Sequence, residues 1–200
     1  MSTVLPDDPL PQPRSGLLGA WDSFIGPGAT AAENMLILTI SIAGTILLFV
    51  YQANRQLNWT PLQVALVALL SLDLLGGVVA NTTTATKRWY HRPGQTARDH
   101  LGFIAVHFIH LLLVAVLFRE TDWGYFAVTY AYLMLAALVI LRVPLYLQRP
   151  VAFSMYLGGV ALGLYVLTPS LGLEWFLPVF YLKLLVSHLV VETPFAPGER

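Results

Sequence analysis

Six long apolar stretches, separated by short polar segments, divide the chain. A helix that crosses a bilayer needs about 20 mainly apolar residues. The stretches run at roughly that length, from Met35 to Ala53, Pro61 to Thr83, His100 to Phe118, Trp123 to Leu147, Val151 to Leu167 and Leu173 to Val191. Pro61 suits a first helical turn, and Pro150 marks a boundary ahead of the fifth stretch. The pattern predicts an all-α, polytopic membrane bundle of six transmembrane helices over residues 33–193. Residues 1–32 read differently. As far as Gly16 they are Pro-rich and read as a disordered tail. Residues 17–26 are either a flexible linker or a segment along the membrane interface, with Trp21 and Phe24 at headgroup level. Residues 194–200 form a short polar tail, and no internal repeat is visible.

Composition sharpens this picture. Hydrophobic residues make up 56% of the chain and charged residues 11%, with a mean hydropathy of +0.67. A soluble domain of this size cannot hide so much apolar surface in one core, and disordered chains are poor in apolar residues. Eleven Lys+Arg balance eleven Asp+Glu, so no basic excess points to nucleic acid. With no Cys there are no disulfides, thiolate ligands or Cys nucleophiles. Lys87, Arg88, Arg92 and Arg98 crowd the second connection and Arg142 and Arg149 the fourth, while the other connections are poor in net positive charge. By the positive-inside rule the basic connections and both termini are expected in the cytoplasm, in a prokaryotic cytoplasmic membrane. Trp59, Trp123 and Trp175 then fall at the outer ends as an aromatic belt.

Polar residues inside the spans are where function is expected, because a charge at mid-membrane costs roughly 3 kcal/mol or more. Asp73 lies about 18 Å along the second span. Asp73, Gly77, Asn81 and Thr84 recur at helical spacing and form one stripe, with Gly76 and Gly77 allowing close helix approach. His100, His107 and His110 lie within an arc of about 80° on the third span. His188 and Glu192 share a face of the sixth. These groups fall at similar depths and are expected to line one cavity open to the cytoplasm. Lys183 lies at the depth of Asp73 and can pair with it, but an α-helix turns it about 140° away from His188.

Imidazoles and carboxylates in that arrangement suit Zn²⁺, Fe²⁺ or Mn²⁺. The expected ligands are His107, His110 and His188, with Asp73 as ligand or base, Glu192 as base and Asn81 orienting. A divalent metal there would serve an enzyme acting on a lipid or other apolar substrate, since a zinc-bound water ionises near pH 7. In its chemistry the set resembles the alkaline ceramidase and adiponectin receptor superfamily, whose zinc is held by His residues on transmembrane helices. That family has seven spans, an early Ser and Asp and paired His in a late helix. This chain has six stretches and His188-x-x-x-Glu192, so the likeness implies a shared chemistry and not membership. Other readings are a b-type haem between His107 or His110 and His188, a proton-coupled carrier, and an assembly or accessory subunit. Expected partners are the lipid bilayer, the apolar substrate and a second copy of the chain.

Overall fold

The computed structural model describes residues 10–192, and every element in it is helical. The outer part of the N-terminal tail, 1–9, and the C-terminal tail, 194–200, lie outside the described residues. The order is α1 (Gly16–Ile25), α2 (Ala31–Asn54), α3 (Pro61–Ala80), α4 (Thr84–Tyr90), α5 (Ala97–Val106), α6 (Phe108–Phe118), α7 (Trp123–Arg142), α8 (Leu145–Ala161) and α9 (Phe176–Tyr181). Two helices finish in wider π-turns, α8 over Leu162–Val166 and α9 over Leu182–His188.

Five helical stretches are long and apolar enough to cross a membrane: α2, α3, Ala97–Phe118, α7 and Leu145–Val166. The expected sixth span is the exception, since Phe176–His188 has only 13 residues. At 1.5 Å per residue it covers about 20 Å, less than the roughly 30 Å hydrocarbon layer. It is also the innermost helix: Phe176, Phe180, Tyr181, Leu184 and Leu185 are all fully buried. It packs against α3, α7 and α8, while α2 packs mainly on α3 and turns its outer face away from the bundle.

Local chemistry sets most helix ends. Thr30 with Glu33 and Thr60 with Gln63 form capping boxes that start α2 and α3, with Pro61 at the first helical position. The fourth span stops at Arg142 and not at Leu147, because Pro144 forces Val143 into an extended conformation. Helix α8 then begins at Leu145 and carries Pro150 inside it, where the boundary was expected. That proline removes one hydrogen bond, to the carbonyl of Tyr146, a residue exposed at the helix start. Where the apolar pattern suggested a linker or interfacial segment, α1 is helical. Asp22 accepts two side-chain bonds from Arg14, at 2.8 and 2.7 Å, and a third from its N–H. That guanidinium holds the Asp22 carboxyl down at about 2. Trp21 Nε1 donates to Asn34 Oδ1 at 2.7 Å, tying α1 to the start of α2.

The second connection is also ordered, as α4. Thr86 donates its hydroxyl to Ile25 O, and Tyr90 OH donates to Ser23 O and Phe24 O, so α4 lies against α1. On its other side Lys87 Nζ donates to Ser187 O at 2.7 Å and to Val190 O. A cation there satisfies carbonyls that a helix C-terminus leaves free.

Candidate functional site

Asp73 sits in α3, and its Oδ2 accepts two bonds at once. Lys183 Nζ, from the π-turns, lies 2.6 Å away, and His110 Nε2, from α6, lies 2.9 Å away. The Lys183 side chain is 2% exposed and that of Asp73 32%. A buried ammonium needs an opposite charge and good geometry to be tolerated, and here one carboxylate oxygen supplies both. Gly77, one turn beyond Asp73, makes the approach possible. A Cβ at that position would stand 2.4 Å from Lys183 Cε and 3.0 Å from its Nζ.

The histidines continue from this pair. His110 stacks on His107, with centroids 5.1 Å apart and planes 17° apart. His107 is the joint between α5 and α6, where the N–H of His110 bonds the carbonyl of His107 in a tightened turn. Its Nδ1 donates to Phe103 O at 2.7 Å, which leaves Nε2 as the lone-pair nitrogen of a neutral ring. The Phe103 ring lies 4.8 Å from His107 and is stacked 4.0 Å from His188. His188 Nε2 and His100 Nδ1 share a hydrogen bond of 3.2 Å. His91, just beyond α4, stacks on His100 at 4.7 Å and donates from Nε2 to His188 O at 2.9 Å. Burial, together with Lys87 and His100, pushes His91 down to about 4, so its ring is neutral at pH 7. Along the third span, His100 to His110 covers about 15 Å.

The sites expected from sequence are therefore divided. His107 and His110 are neighbours, but His188 belongs to a second group with His100 and His91 on the far side of Phe103. Asp73 is held by Lys183 and His110. Glu192 forms an ion pair with Arg149 at 2.9 Å, which takes it away from the histidines. Asn81 closes α3, its N–H bonding Gly77 O and Val79 O, about 12 Å along the helix from Asp73. Among the described residues no group of three or more His, Cys, Asp or Glu is placed to hold a metal ion. The physical reason is that His188 is drawn to His100 and Glu192 to Arg149, which leaves His107 and His110 as a neighbouring pair without them. Phe103 and Tyr90 are not ligand types and His91 lies in the connection outside the spans, yet they complete the file. Tyr90 packs edge-on against His188 at 5.5 Å.

Against known proteins, the chain matches no family model, no curated protein and no solved structure.

Proposed function

We propose that this integral membrane protein moves protons: Asp73, with Lys183 and His110, holds the proton in mid-membrane, and the histidines lead it to the basic end. The observation that carries the reading is the single Asp73 oxygen shared by Lys183 Nζ and His110 Nε2. Protonating that carboxylate removes the charge that stabilises Lys183, so the site has two electrostatically distinct states. Buried Asp and His chains of this kind serve as proton relays in membrane carriers. Each imidazole can accept a proton on one nitrogen and release it from the other. On this reading the innermost helix makes a sixth crossing beside the five long ones. The end carrying Lys87, Arg88, Arg92 and Arg98 then faces the cytoplasm, and protons exchange with solvent there. A metal-dependent lipid enzyme has less support, because His188 bonds His100 apart from His107 and His110, and Glu192 is paired with Arg149.

The test uses purified protein in liposomes with a trapped pH dye and a valinomycin-clamped potassium gradient. The expected result is inward proton movement several-fold faster than in protein-free liposomes, returned to background by Asp73→Asn. A rate equal to protein-free liposomes, or one that Asp73→Asn leaves unchanged, overturns the proposal.

A further inference from the structure

The histidine file has one break, and an aromatic ring fills it. His110 and His107 stand on one side and His188, His100 and His91 on the other. Among the described residues no hydrogen bond joins the two groups. Between them is Phe103, 4.8 Å from the His107 ring and stacked flat on His188 at 4.0 Å with planes 20° apart. Tyr90 closes on the same ring at 5.6 Å. A benzene ring offers no proton donor or acceptor, and it keeps water out of the volume it fills. Its neighbours are polar imidazoles, so the apolar ring interrupts a row of groups that could otherwise exchange protons.

Resting on the proton-moving reading above, we infer that Phe103 is the gate of this path: its ring separates the mid-membrane proton site from the imidazole group at the basic end, and transfer requires the ring to swing aside. The backbone of Phe103 has a separate task. Its carbonyl fixes the His107 tautomer through the 2.7 Å bond, and any side chain at position 103 leaves that acceptor in place. Gate and tautomer control can thus be separated by substituting the side chain alone.

The experiment compares wild type, Phe103→His, Phe103→Asn, Phe103→Leu and the Phe103→His/Asp73→Asn double variant in the same liposome assay, each checked for a monodisperse elution profile. Phe103→His places an imidazole where the break is, and its proton rate is expected to rise several-fold above wild type. Phe103→Asn should raise it as well, and it carries the test if the histidine variant does not fold. Phe103→Leu, still apolar, should stay near the wild-type rate. The double variant should fall to background, tying the flux to Asp73. Asp73-dependent flux that neither polar variant raises overturns the gate while leaving the proton site standing. An equal rise in Phe103→Leu overturns it too, since loose packing would then explain the leak. Flux indifferent to Asp73 in every variant overturns both readings.

Discussion

Taking away the Asp73 carboxylate leaves Lys183 with no other hydrogen-bond partner among the described residues and only 2% of its side chain exposed. Taking away Lys183 leaves Asp73 still bonded to His110 and one-third exposed. The two losses are therefore unequal. Breaking a buried pair from one side costs roughly 3–5 kcal/mol, and Asp73→Asn should fall near the lower end of that range. Lys183→Met should cost less, about 1.5–3 kcal/mol, the scale of one lost charge-assisted bond. The double variant should be more stable than Asp73→Asn alone, because the stranded charge is gone. Unfolding free energies of the four proteins in mixed micelles measure this, and strictly additive losses would sink it. The pairing itself was legible in the sequence, since Lys183 and Asp73 lie at one depth and the stripe places Gly77 beside Asp73. What could not be read was the side of the helix that carries His188. An α-helix puts Lys183 and His188 about 140° apart. The π-turns over Leu182–His188 close i→i+5 and bring positions five apart toward one face. Lys183 can then reach α3 while His188 reaches α5.

Helix α4 makes its prediction at the level of elements. It is the clamp between α1 and the end of the innermost helix, and it holds that end through Lys87 and His91. Lys87 is 3% exposed, and burial pushes it down to about 8, opposed by Glu192 and helped by Arg149. Between pH 8 and the ordinary 10.5, the unfolded chain carries this proton and the folded chain does not, so stability rises with pH across that window. His91 works in the acid window. Its folded value near 4 lies below the ordinary 6.5, so stability falls as pH drops from 6.5 toward 4. A tenfold difference in proton affinity between folded and unfolded chains is worth about 1.4 kcal/mol. The carbonyls on Lys87 favour its charged form, so the alkaline gain should be on the order of 1–3 kcal/mol. Stability against pH for wild type, Lys87→Met and His91→Gln should show each variant flattening its own limb only. Parallel curves would show that neither group is held as described. A short helix in this connection was not legible, because seven residues are too few for an apolar stripe to declare itself. Its order comes from bonds to Ile25, Ser23 and Phe24, more than 60 positions earlier in the chain.

Over the whole molecule, the start and the finish of the described chain meet at one end of the bundle, since α4 touches Ile25 on one side and Val190 on the other. The proposed path accounts for that arrangement with an even number of crossings. Five helical stretches have the length to cross alone, and on the proposed path the innermost helix makes the sixth crossing. It can be short because protein, and not lipid, surrounds it: α3, α7 and α8 bury its apolar side chains, and only the outer helices must match the hydrocarbon thickness. Hydropathy registers six apolar stretches without saying which is central, because a lipid-facing and a protein-facing leucine read alike. The proposed path also puts two exposed positions on opposite sides, Ser15 ahead of α1 and Asn58 ahead of α3. The chain has no Cys, so Ser15→Cys and Asn58→Cys each introduce a single reactive thiol. In intact cells a membrane-impermeant maleimide should label Asn58→Cys and leave Ser15→Cys unlabelled until the cells are opened, as the basic connections require of a cytoplasmic face. Labelling of both thiols in intact cells would rule out the six-crossing path, and the reverse pattern would keep the path while inverting the direction in which the histidine file opens.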